Sequence, residues 1–311
     1  MKILSIDIGG TTTKIAVICS ETKKIIAKYE AIKTQKGNSL KWLFYYIDNN
    51  VKETYKVISL CIPGFFSKEK QMIISAFNLG YKNFKVVDEC KKYSNKKVFV
   101  TNDANAASLG EFWKSNLKYT NAIFYILGTG LGGAIIIDKK IYEGSSGFAG
   151  EFGHGPFYKD KVKCSCGNEH CIEPISSGTG ITNNLILNAK NNPNSELGKV
   201  YKSDPKKFSI EKITHLIKKN DKLVIKSLRE SLTPLVNNIV IMIYAFNPDA
   251  VFIGGGPSKL GDDLMNIIKS ILKENKNLSL IEKTKILISK HGNDSALYGC
   301  AYNALSKMNS F

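Results

Sequence analysis

Asp7-Ile8-Gly9-Gly10-Thr11-Thr12-Thr13-Lys14 decides the fold, because a related turn returns at Gly128-Thr129-Gly130-Leu131-Gly132-Gly133. The first stretch lies between two β-rich runs, 2–8 and 14–19, with a third run at 24–29. The second lies between runs at 122–127 and 134–137, and a further run starts at 140. Three short strands joined by tight turns read as an antiparallel meander. Return of the whole unit about 120 residues later predicts two similar domains. Glycine lets such a turn bend sharply and bring its backbone close to a ligand. Successive N–H groups and threonine hydroxyls can then surround phosphate oxygens. Asp7 is placed to hold Mg2+, directly or through water. The first turn is neither a Walker A loop nor a Rossmann fingerprint. A Gly-Gly-Thr hairpin alone is only a hairpin; two of them make a two-sided phosphate clamp.

Working outward, 39–51 has helical patterning and 56–62 reads as a strand ending at Pro63-Gly64. A polar loop follows, then Asn78-Leu79-Gly80. The strand 97–101 runs into Asn102-Asp103 and an Ala-rich helix to Trp113. Ligand crevices in open α/β sheets lie at the carboxyl ends of strands, where Asp103 stands. The common alternative for such an Asp is a helix N-cap. A long apolar helix is expected over 230–246, with Pro234 near its start, and 190–207 is the most loop-like segment. The strand 250–253 opens into Gly254-Gly255-Gly256, which permits flat apposition of backbone to a planar or phosphate group. A last strand at 285–289 and a closing helix at 294–306 complete the chain.

Between the second meander and the long helix lie Gly150-Glu151-Phe152-Gly153-His154 and Cys164-Ser165-Cys166-Gly167-Asn168-Glu169-His170-Cys171-Ile172-Glu173. Three thiolates and one imidazole form a closed tetrahedral set of the kind that holds structural zinc. Thiolates also disfavour Mg2+ and Ca2+ there. His154, Cys164, Cys166 and Cys171 are the expected ligands, with His170 an alternative to His154. Cys-x-Cys is a poor spacing for a disulfide. Glu151 and Glu173 flank the set, so a metal-ordered loop would present two carboxylates to a polar substrate.

The 311 residues suffice for two ordinary domains. No secretory signal and no uncharged apolar run of about 20 residues is present, so a cytoplasmic protein is expected. The net charge of +17 raises the question of nucleic acid. Of 44 basic residues only Arg229 is Arg, and the lysines are scattered through every segment. Specific readers of bases and phosphates rely on Arg forks, so no specific nucleic-acid partner is expected. Attraction of anionic substrates is.

Taken in order, these motifs resemble the ROK family of sugar kinases and related repressors. The resemblance covers nearly the whole chain. It implies a two-domain actin-like ATPase (ribonuclease H-like) α/β fold with a duplicated βββαβα unit and a cleft between domains. The expected division is 1–118 plus 292–311 for the smaller domain and 119–291 for the larger one with the zinc loop. It implies an ATP-dependent hexose kinase, with glucose phosphorylated at the 6-hydroxyl as first choice. N-acetylmannosamine kinase, fructokinase and a sugar-responsive regulator lacking its DNA-binding domain are the alternatives. Asp103 matches the family's catalytic base. Gly64, Asn78, Asn102, Glu151, His154 and Glu173 match positions around the sugar. Asp7, Gly9, Gly10, Thr11, Thr12 and Lys14 match the first phosphate turn, and Gly128, Thr129, Gly130, Gly132 and Gly133 the second. Gly254, Gly255 and Gly256 match the nucleotide pocket. The implied cofactors are ATP, Mg2+ and structural Zn2+, and the implied assembly is a homodimer with no membrane partner. One departure stands out: the family pattern has Gly immediately before the last Cys, where this chain has His170.

Overall fold

The computed structural model describes residues 1–67, 72–76, 79–116, 118–155, 162–274, 278–289 and 292–308. The chain divides into two compact units. One comprises Met1–Tyr119, Ala134–Gly150 and His291–Phe311; the other comprises Thr120–Gly133 and Glu151–Lys290.

In the first unit, β1 (Lys2–Ile8) and β2 (Thr12–Cys19) form an antiparallel hairpin. β3 (Lys24–Lys28) continues the meander, and β4 (Ile32–Lys33) pairs with β2. β5 (Val57–Ile62) lies parallel to β1 on its other side, with Asp7 opposite Cys61. All six residues of β5 are buried, as expected of a central parallel strand whose two faces are both covered. The segment read as a polar loop instead holds a small antiparallel sheet of β6 (Phe65–Ser67), β7 (Met72–Ala76) and β8 (Tyr81–Phe84). β9 (Lys97–Asn102) closes the main sheet, whose order is β3-β2-β1-β5-β9.

The helix after β9 begins at Asp103 and runs to Lys114. It packs along the C-terminal helix Ser295–Met308 at very short range. Gly110 and Gly299 make this possible: a Cβ on Gly110 would collide with the Ser295 carbonyl, and one on Gly299 with the Ala106 backbone. Residues 134–150 group with this unit by contact, where Phe148 packs on Phe65 and Tyr302 donates to the Lys139 carbonyl.

β10 (Ala122–Leu127), β11 (Leu131–Ile137), β12 (Lys140–Tyr142), β13 (Ala250–Gly255) and β14 (Lys285–Ile288) form the second main sheet, in the order β12-β11-β10-β13-β14. Its plan repeats that of the first. A leading strand carries an antiparallel hairpin on one side and parallel strands on the other. The duplication inferred from the two Gly/Thr turns is therefore a duplication of sheet topology.

The long helix starts at Lys222, not near 230, and reaches Phe246 with Pro234 in its interior. An interior proline costs about 3 kcal/mol against a good helix former. Here Leu228, Leu232, Leu235, Val236 and Ile239 are all fully buried on either side of it, and that packing outweighs the local preference. The loop-like stretch 190–207 contains the helix Glu196–Ser203, which Ser195 caps by accepting the Gly198 N–H at 3.0 Å. No helix among the described residues is long and apolar enough to cross a membrane.

Candidate functional site

The β1–β2 turn is held mainly by backbone. Gly9 N–H donates to Thr12 O at 3.0 Å, and Thr34 N–H donates to Thr11 O at 2.9 Å. The buried hydroxyls of Thr13 and Thr34 meet at 2.9 Å. Gly10, Thr11 and Thr12 stay exposed at the tip, where their N–H and hydroxyl groups can serve a phosphate. Asp7 Oδ2 lies 3.4 Å from Lys14 Nζ, and Asp7 Oδ1 accepts from the Cys61 thiol at 3.4 Å. Cys61 was missed in the sequence because a buried cysteine within an apolar strand looks like core. The hydrogen bond with the neighbouring Cys300 thiol, then burial, with smaller contributions from the negative charges of Asp7 and Asp103, push the Cys61 thiol well up. It therefore stays a neutral donor to Asp7.

Asp103 stands half-buried at the carboxyl end of the first sheet, immediately after β9. It is not the helix cap. Asn102 is, accepting Ala104 N–H at 2.8 Å while its amide nitrogen donates to Gly64 O at 2.9 Å. Gly64 has φ +135°, and a Cβ there would run into the Ser75 carbonyl and Ala76, so the position admits only glycine comfortably. Asn78 lies outside the described residues.

In the second unit, Gly128 N–H donates to Gly130 O at 2.9 Å, and Thr179 N–H donates to Gly128 O at 3.3 Å. Gly128 and Thr129 are exposed, whereas Gly133 is buried within β11. Gly255, at φ +93° with its missing Cβ against Leu127, lets β13 close on β10, and Gly256 is open.

His154, Cys164, Cys166 and Cys171 bring one ligand atom each within 4.8 Å of the others. Cys164 Sγ lies 3.6 Å from His154 Nδ1, and Cys166 Sγ 3.6 Å from Cys171 Sγ. With Zn–S near 2.3 Å, the edge of a zinc tetrahedron is about 3.8 Å, so the donor set and its spacing fit zinc. The cluster takes His154, and the His170 backbone pairs with Val162. Burial pushes the Cys164 thiol up to about 12, so it needs a cation beside it to ionise near neutral pH.

His154 turns Nδ1 to the sulfurs and Nε2 to Glu151 and Glu173, each with a carboxylate oxygen 3.9 Å away. Burial raises the Glu151 pKa; His154 opposes this and Glu173 adds to it. One ring thus belongs to the cluster on one side and to a carboxylate wall on the other, as expected of a histidine whose free nitrogen makes an outer bond.

Two sheets of one plan, each with a glycine turn suited to phosphate, define a duplicated α/β protein of the actin-like ATPase class. The chain belongs to the ROK family, whose model matches residues 3–307. It is 28% identical to a glucokinase of Halalkalibacterium halodurans, over 99% of this chain and 96% of that protein. It is 27% identical to a xylose repressor of Caldicellulosiruptor bescii, over 99% of this chain and 79% of that one. A ROK family glucokinase of Streptomyces griseus, solved with glucose and AMPPNP, shares the fold with a TM-score of 0.79. The two are 24% identical, and the match covers 97% of this chain and 98% of that one.

Proposed function

We propose that the chain is an ATP-dependent sugar kinase that phosphorylates a hexose, with glucose to glucose 6-phosphate as the first choice. The observation that carries this reading is Asp103, a half-buried carboxylate at the carboxyl end of β9, in the first position of a helix whose cap is Asn102, with Oδ1 accepting the Ala104 N–H at 3.0 Å. Phosphoryl transfer to a hydroxyl calls for a carboxylate base at such a place.

In this reading Asp103 takes the proton of the sugar hydroxyl as that oxygen attacks the γ-phosphorus. The P–O bond to ADP breaks as the bond to the sugar oxygen forms. Asn102, Gly64, Glu151, His154 and Glu173 hold the sugar hydroxyls, and Asn78 is assigned with them. Carboxylates, an amide and an imidazole suit a ligand that offers several donors and acceptors. Gly9, Gly10, Thr11 and Thr12 hold phosphate oxygens from one turn, and Gly128, Thr129, Gly130, Gly132 and Gly133 from the other. Gly254, Gly255 and Gly256 line the nucleotide pocket. Asp7, kept in place by Cys61 and Lys14, would hold Mg2+, which supplies charge neutralisation at the β- and γ-phosphate oxygens. The cluster fits Zn2+, whose part is to orient His154 and not to react. The assembly that goes with this reading is a homodimer.

The 27% identity to a xylose repressor favours a second reading, a sugar-responsive regulator. The 24% identity to an N-acetylmannosamine kinase of Haemophilus influenzae keeps the amino sugar among the acceptors. A coupled assay with ATP and glucose, mannose, N-acetylmannosamine, N-acetylglucosamine and fructose separates these. Turnover of glucose first is expected. Sugar binding without turnover on any of the five would leave the regulator.

A further inference from the structure

The turn 128–133 is not held only by its own backbone. Leu131 N–H donates to Glu173 Oε2 at 3.0 Å. The other oxygen of the same carboxylate accepts from Ser165 Oγ at 3.1 Å and lies 3.6 Å from Cys164 Sγ. His154 Nε2 lies 3.9 Å from Oε2. Backbone joins the same two segments, since Glu173 N–H donates to Gly153 O at 3.1 Å. Gly130 belongs to this arrangement. A Cβ at Gly130 would fall at 2.5 Å from Glu173 Oε2, so any other residue there displaces the carboxylate. Gly153 likewise sits where a Cβ would press on the Leu131 carbonyl at 2.8 Å. The glycines of the turn and of the metal loop are thus cut to let one carboxylate pass between them.

We propose that Glu173 is a positioning residue that transmits the state of the cation cluster to the phosphate turn. With Zn2+ bound, His154, Cys164, Cys166 and the Ser165 between the two cysteines are fixed, and Glu173 is fixed with them. The Leu131 N–H, and with it the turn, is then held in one place. Loss of the ion frees Ser165 and the carboxylate together, so the turn loosens although no residue of the turn is a metal ligand. Zinc in this chain therefore serves the nucleotide side as well as the sugar side. The nucleotide part of this statement rests on reading 128–133 as a phosphate holder; the strut itself does not.

Hydrogen exchange of the peptide spanning 128–133 tests the strut in the full chain. Chelation, with metal loss confirmed by elemental analysis, should speed exchange at Leu131 by about tenfold or more while leaving the 9–14 turn unchanged. Glu173→Ala should do the same with zinc still bound. Glu173→Gln, whose amide oxygen accepts the same N–H, should restore most of the protection. Unchanged exchange at Leu131 after confirmed metal loss overturns the proposal, and so does a Glu173→Gln variant as unprotected as Glu173→Ala. The KM for MgATP separates the two readings. Protection lost with no rise in that KM keeps the strut and removes the phosphate role of the turn.

Discussion

The two Gly/Thr turns come from one duplicated plan, yet they are braced differently. The first is tied by backbone to Thr34 and by the Thr13–Thr34 hydroxyl pair, all within a unit whose core is apolar packing. The second is tied by the Glu173 carboxylate to a segment that carries the four candidate metal ligands. Duplication supplied the same sheet order twice. What differs is the bracing group, a buried threonine hydroxyl pair in one unit and a carboxylate beside a candidate metal cluster in the other. In the proposed reading, zinc gives the segment around the four ligands the rigidity that apolar burial does not supply there.

Breaking this contrast begins with chemistry. Asp103→Asn removes the base but leaves both braces, so kcat should fall by about 10²- to 10⁴-fold with hexose affinity nearly unchanged. Steady-state kinetics beside calorimetric sugar binding checks this, and substantial retained turnover would remove Asp103 from its role. Next comes the metal brace. Cys166→Ser should lower zinc below one ion per chain and weaken sugar binding by roughly tenfold or more, while leaving the first unit intact. Unchanged sugar affinity in a zinc-depleted variant would show that the loop is not ordered by the ion.

The close packing of the helix Asp103–Lys114 on the C-terminal helix is tested by Gly299→Val, which pushes a side chain into the Ala106 backbone. A loss of about 1–3 kcal/mol is expected, read as a lower Tm with zinc content unchanged. A variant as stable as the parent would mean that the two helices separate at no cost. The smallest effect belongs to Lys14→Met. The partly exposed Lys14–Asp7 pair at 3.4 Å is worth about 0.2–1 kcal/mol, so the KM for MgATP should change by no more than about fivefold. A much larger change would give Lys14 a direct phosphate contact.

Much of this contrast was legible in the residues. Glycines and threonines between β-rich runs marked both turns, and the spacing of His154, Cys164, Cys166 and Cys171 marked the cluster. The choice of His154 over His170 needed the structure, because both stand within reach of the cysteines in sequence. The sheet of β6 to β8 was hidden because its strands are short and only partly buried, with Lys82 and Asn83 in place of an alternating apolar pattern. The start of the long helix was hidden by Lys222 and Lys226, which face outward on its first turns, and by Arg229, which pairs with Glu274; all three dilute the apolar signal. Cys61 beside Asp7 and Glu173 beneath Leu131 arise from register and from loop closure. Strand pairing across some 54 residues and a carboxylate reaching a turn 42 residues away leave no local pattern to read.

The most direct test of the central claim is ATP-dependent turnover of the five-sugar panel by the zinc-loaded protein. ADP release that requires both Mg2+ and a hexose, with glucose the best acceptor, is the predicted result. Tight hexose binding with no ADP formed from any of the five sugars would contradict it.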